Sequence, residues 1–167
     1  RSSRALYSPP VVAGTVLICV TALFANPINA QEDGGYGFYR TVEGDVRLTT
    51  LERAEPIDVE PDYPLLLGDR LWVAPGALAE AILPDRTILR VGGGTDLFFE
   101  NLARYAGEAE VEASVLQVLE GEVQVVLREA SWQGEPIRVD TANAVIYLER
   151  SGSYRIYADD REWTEVV

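Results

Sequence analysis

No histidine, lysine or methionine occurs in this chain of 167 residues, and its one cysteine is Cys19. Each absence removes chemistry. Without histidine there is no imidazole base, so Ser-His and Cys-His nucleophile systems are excluded. Without lysine there is neither a Schiff base nor a phosphate-loop ammonium. A zinc or iron site would need carboxylates alone, a donor set that neither metal favours. The residues mark no catalytic group, no metal ligand and no cofactor site, and the expectation is a protein that is not an enzyme.

What is present is acid and apolar. Fourteen arginines stand against 27 Asp and Glu, a formal net charge of −13. That charge repels a phosphate backbone, so nucleic acid is set aside as a partner. Hydrophobic residues make up 47% of the chain, enough for a core without disulfide staples. Acids are interleaved with apolar residues throughout, unlike a disordered acidic tail.

Residues 1–30 read as a secretory signal peptide. Arg1 and Arg4 give a positive start, Val11 to Ala25 form an apolar run, Pro27 breaks it and Ala30 offers a small residue for cleavage. The run is short for a spanning helix, so an inner-membrane anchor over 11–25 is the alternative. Bulky Ile18 before Cys19 argues against lipid attachment. The expected location is therefore the periplasm or cell envelope. The absence of a starting Met and the apolar strand pattern running to Val167 lead us to expect a longer chain.

Residues 31–37 read as a flexible lead-in, and from Phe38 onward strand patterns follow one another. Val46 and Leu48 alternate with polar neighbours, and further strands are predicted at 70–74, 78–83, 86–91 and 95–100. Pro75-Gly76, Pro84-Asp85 and Gly92-Gly93-Gly94 separate them with turn chemistry. Thr50 to Leu67, with Pro56, Pro61 and Pro64, reads as a loop. The segment 101–113 allows a short helix, and 114–120 with 122–128 reads as a strand pair around Gly121. Ser131 to Glu135 reads as a turn, and strands return at 136–141, 144–149, 153–158 and 162–167. The fold class is all-β, about ten short strands arranged as a sandwich or short β-solenoid behind a helical signal peptide.

Several phrases then resemble the FecR domain family of bacterial envelope proteins. They are Gly68-Asp69-Arg70-Leu71, Pro75-Gly76-Ala77-Leu78-Ala79-Glu80, Pro84-Asp85-Arg86-Thr87 and Gly94-Thr95-Asp96-Leu97. Glu120-Gly121-Glu122-Val123, Thr141-Ala142-Asn143-Ala144, Gly152-Ser153-Tyr154 and Thr164-Glu165-Val166-Val167 continue the order. The resemblance spans roughly 36–167. Arg86-Thr87 replaces a usual glycine-serine, Ala142-Asn143 a usual proline, and 101–113 looks inserted. The resemblance implies an exported, non-enzymatic β domain (38–167) that serves protein interaction or signal sensing, with an envelope protein as partner. The alternative is an exported carbohydrate-binding or glycan-acting protein with cell-wall glycan as its partner. A membrane would be touched only through an uncleaved N-terminal segment.

The candidate sites have plain rivals. Asp58, Glu60 and Asp62 could offer calcium three carboxylates, but Pro61 interrupts and the loop glycine is missing, so a solvated acidic loop is preferred. Glu108, Glu110 and Glu112 read the same way. The 91–96 stretch, VGGGTD, has no lysine and no helix after it, so it is a turn and no phosphate loop. Of three tryptophans, Trp72 sits in an apolar strand and reads as core, whereas Trp132, in a polar turn, is the partner-contact candidate; Trp163 completes the set. Glu43-Gly44 and Glu120-Gly121 open similar patterns twice. Glycine's freedom at positive φ makes each a corner of the β architecture, with Val46 and Val123 starting the buried face.

Overall fold

The computed structural model describes residues 36–103, 113–128, 136–159 and 163–167. The expected signal peptide, most of the lead-in, the acids at 108–112 and Trp132 lie outside the described residues. Period-two alternation is the local rule. Leu48, Leu71, Leu97 and Val118 are fully buried, while Arg47, Arg70 and Trp72 between them face out.

The described residues contain thirteen strands and no helix, so they are all-β, and the strands exceed the ten or so expected. In chain order they are β1 (Gly37–Glu43), β2 (Val46–Thr50), β3 (Arg53–Asp58), β4 (Pro64–Leu65) and β5 (Arg70–Val73). Next come β6 (Leu78–Ile82), β7 (Ile88–Val91), β8 (Thr95–Asn101) and the long β9 (Val115–Leu127). β10 (Ile137–Asp140), β11 (Val145–Leu148), β12 (Gly152–Ala158) and β13 (Thr164–Val166) complete the series.

All thirteen belong to one curled sheet, paired antiparallel except where β10 runs parallel to β9. The sheet has two arms. Arm I is β4-β1-β6-β7-β9-β12-β13 and arm II is β3-β2-β5-β8-β9-β10-β11. Only β9 lies in both. Its residues 115–120 pair with β8 and β10, and residues 121–127 pair with β7 and β12.

The bend falls at Gly121, whose φ is +100°. A Cβ there would lie 2.4 Å from the Thr95 hydroxyl and 2.5 Å from its Cα, so both backbone and space require glycine. The expected strand pair around Gly121 is thus one continuous strand, because the glycine bends the chain without reversing it. Gly44 (φ +81°) carries the chain from β1 in arm I to β2 in arm II in the same manner. The β5–β6 and β7–β8 links cross between the arms alongside it. Hydrogen bonds tie the neighbouring corners together: the Ala74 amide donates to the Asp45 carbonyl (2.9 Å), that of Gly94 to Val73 (2.8 Å) and that of Gly92 to Glu122 (2.9 Å). The Thr95 hydroxyl donates to the Glu122 carbonyl (3.1 Å) and accepts from the Glu122 amide (3.0 Å). These corners form a crease along which the sheet folds.

One buried cluster draws on both arms. Ala79, Val91, Val123 and Ile156 stand in register across arm I, and Leu48, Leu71, Leu97 and Val118 across arm II. Each large aliphatic side chain fully buried there contributes roughly 1.5–3 kcal/mol. The loop expected over Thr50 to Leu67 instead contains β3 and β4. Pro56 is tolerated because β3 is an edge strand, where one row of amides needs no ladder partner. In the β6–β7 hairpin the three-residue loop Pro84-Asp85-Arg86 puts Arg86 at φ +68°, the left-handed place usually given to glycine.

Candidate functional site

The two arms bury similar inner faces but expose different outer ones. On arm I, Glu80 lies at the centre, accepting from Arg40 and, at 2.7 Å, from the Nε of Arg90. Arg90 reaches Gln124 (3.3 Å) and Gln124 donates to Ser153 (2.7 Å). Arg155 meets Glu122 at 3.3 Å in the adjoining strands. Burial pushes the Glu80 carboxyl up, but hydrogen bonds from Arg90 and Arg40 outweigh it and hold the group below the usual glutamate range. In this row the polar groups satisfy one another, while the next row in register, Phe38, Ile82, Ile88 and Val126, is apolar, with Phe38 partly exposed.

Arm II is aromatic. Cross-strand register places Arg47, Trp72 and Asp96 in one row and Thr49, Arg70, Phe98 and Gln117 in the next. β10 and β11 extend the face: Asp140 stands beside Gln117 with Val145 beyond it, and Arg138 stands beside Val115 with Tyr147 beyond. Trp72 is 40% exposed, Val145 57% and Tyr147 58%. The arginines are each tied to an aspartate. Arg70 donates Nε and Nη2 to Asp96 at 2.8 and 2.5 Å, and Arg47 donates the same two nitrogens to Asp45 at 2.9 and 3.1 Å. Arg138 pairs with Asp140. The hydrogen bonds to Asp96 raise Arg70 above the usual guanidinium range, so it stays charged at every accessible pH.

Two adjoining hollows lie on this face. One, of about 510 Å³, is bounded by Leu51, Ala54, Gly68, Phe98 and Leu119 among others. The second, of about 360 Å³, is lined by Arg47, Thr49, Pro56, Arg70, Trp72 and Asp96. The Arg47 guanidinium sits over the Trp72 ring, 5.6 Å from its centroid.

Trp72 was expected in the core and is instead on the outer face. Leu71 and Val73 fill the inward places, and alternation turns the residue between them outward. That signal was present in the sequence. Arg47, Arg70, Asp96 and Phe98, which the sequence did not single out, depend on pairing between distant strands. Trp163 is exposed beside β13 in arm I, so it does not join Trp72. Among the described residues no group of three or more acids gathers to hold a metal ion, the set Asp58, Glu60 and Asp62 included. The amides of Gly92 and Gly94 are engaged in the crease, as expected of a turn and unlike a phosphate cradle. No helix long and apolar enough to cross a membrane occurs among the described residues.

One acid is buried away from both outer faces. Asp69, 1% exposed, accepts from the Leu66 amide at 2.9 Å and shapes the turn into β5. Burial pushes its carboxyl up to about 6, against the lowering effect of that hydrogen bond. The fully buried Tyr39 phenol is raised too, first by burial and then by the negative charges of Asp69 and Tyr63.

Comparison with known proteins finds no matching family model, no matching curated protein and no matching solved structure.

Proposed function

We propose that the chain is a non-enzymatic, exported domain of the FecR type, working in the periplasm or cell envelope as an interaction or signal-sensing module. The observation that carries this reading is the outer face of arm II. Trp72, Phe98 and Tyr147 share it with Arg47, Arg70 and Arg138, and Trp, Tyr and Arg are the residues on which recognition surfaces concentrate their energy. Within this reading the curled sheet is taken as a sandwich whose arms are its layers, in preference to a solenoid. The partner is an envelope protein, and no chemistry is performed on it.

A photo-crosslinking amino acid at Phe98, compared with one at Arg90 on arm I, tests the assignment in envelope preparations of the source organism. Cross-linking to a discrete protein from position 98 and not from position 90 is the expected result. Equal labelling from both positions, or none from 98, would refute it.

A further inference from the structure

The hollow over Trp72 has a chemistry narrower than that of the face around it. Its two guanidiniums are cancelled by carboxylates, Arg47 by Asp45 and Arg70 by Asp96, each through Nε and Nη2. A phosphate or carboxylate ligand would meet no uncompensated cation there, and an amine or metal no free carboxylate. In both pairs the Nη1 nitrogen takes no part, and a carboxylate oxygen accepting one hydrogen bond keeps a second lone pair. The lining therefore offers guanidinium donors and a carboxylate acceptor whose charges are already paired, Arg47 with Asp45 outside the hollow, beside an indole that is 40% exposed. Thr49 adds a hydroxyl and Pro56 an apolar wall. At about 360 Å³ the hollow falls within the size range of small-ligand sites.

A neutral polyhydroxylated ring matches this set. One side of a hexopyranose is a sheet of C–H groups that lies well on an aromatic face, and its rim carries vicinal hydroxyls that both donate and accept. We propose that the Trp72 hollow is a saccharide subsite, taking a neutral hexopyranose unit of an envelope glycan. The indole stacks on the C–H face, while Arg70 Nη1 and the Asp96 carboxylate share adjacent hydroxyls. The Arg47 guanidinium, which now sits over the ring while bonded to Asp45, swings aside to admit the sugar to that face. The proposal rests on reading the outer face of arm II as the recognition surface, though not on the partner's being a protein.

The test is titration of the full ¹⁵N-labelled chain with cellotetraose, chitotetraose and maltotetraose. The indole N–H resonances are the readout, with Trp72 identified by Trp72→Phe and Trp163 as the internal reference. Expected is a saturable shift of the Trp72 signal with at least one tetrasaccharide, no shift of Trp163, and at least tenfold weaker binding in Trp72→Ala and Asp96→Asn. No shift with any of the three, or binding that survives Trp72→Ala, would overturn the subsite. A protein cross-link from position 98 together with silent sugars refutes the subsite alone and leaves the interaction module standing. Sugar binding without any protein cross-link refutes the protein partner and keeps the subsite.

Discussion

The outer faces of the two arms are built on the same alternation and yet do opposite things with it. On arm I the central outward row carries Arg40, Glu80, Arg90 and Gln124, which are hydrogen-bonded to one another, beside an apolar row of Phe38, Ile82, Ile88 and Val126. On arm II the outward positions mix paired charges with Trp72, Phe98, Val145 and Tyr147. Both faces have arginines locked to acids, so ion pairs do not distinguish them. Exposed apolar groups occur on both as well, Phe38 and Trp163 on arm I; the difference is that on arm II an indole lies among the ion pairs, with the Arg47 guanidinium over its ring. Surface ion pairs contribute only about 0–1 kcal/mol each, whereas an exposed aromatic that becomes covered on binding contributes several times more. The central row of arm I is thus closed on itself, whereas that of arm II keeps a partly uncovered aromatic ring among its pairs.

The sharpest way to break that comparison is to break the joint between the arms. Gly121→Val introduces a side chain at φ +100° and within 2.5 Å of the Thr95 backbone, and is expected to abolish the cooperative thermal transition seen by circular dichroism. Glu122→Gln, next door, removes only the exposed contact with Arg155 and should stay folded, within about 1 kcal/mol of the parent. Loss of folding in Glu122→Gln with retention in Gly121→Val would reverse the assignment.

Asp69 supplies the next effect, on pH. Its folded carboxyl titrates at about 6 against an ordinary value of 3.8. A raised value means the folded state holds the proton more tightly. The group's contribution is therefore most favourable below pH 4 and is lost as pH rises through 6. Asp69→Asn can still accept from the Leu66 amide, so the variant should be more stable than the parent at pH 7.5, by up to about 3 kcal/mol. The gap should narrow to about half near pH 5 and close only below about pH 4 in urea melts. A gap independent of pH would assign the effect elsewhere.

Trp72→Ala is expected to weaken partner binding at least tenfold, or about 1.4 kcal/mol, in a direct binding assay, while Arg90→Ala leaves it unchanged. Equal losses would erase the distinction between the faces. Arg86→Gly relieves a left-handed arginine in the β6–β7 loop and should raise stability by about 1 kcal/mol without touching binding. Its thermal midpoint is the check.

Much of this is legible in the sequence. The glutamate-glycine steps at Gly44 and Gly121 mark corners, and both carry positive φ with Val46 and Val123 turned inward. What one stretch of sequence cannot show is whether a glycine reverses a strand or only bends it. That depends on which strands lie beside it, and Gly121 is held as a bend by Thr95, twenty-six positions earlier. β3 escaped notice because Pro56 discourages strands in general, while the exemption for edge strands depends on the sheet's order. Trp72 reads as core for a different reason. Its neighbours Leu71 and Val73 already claimed the core, and taking Leu-Trp-Val as an apolar run hid the period of two. The site around it joins Arg47, Trp72 and Asp96 from three strands, a register that alternation leaves open.

The unbroken passage of β9 through the crease also has a mechanical meaning. Two layers joined only by hydrogen bonds or loose links can slide or peel when pulled. Here a tug on arm II is carried along covalent backbone into the strand on which β7 and β12 are laid. A pull applied to the outer face of arm II thus reaches arm I through the backbone of a single strand.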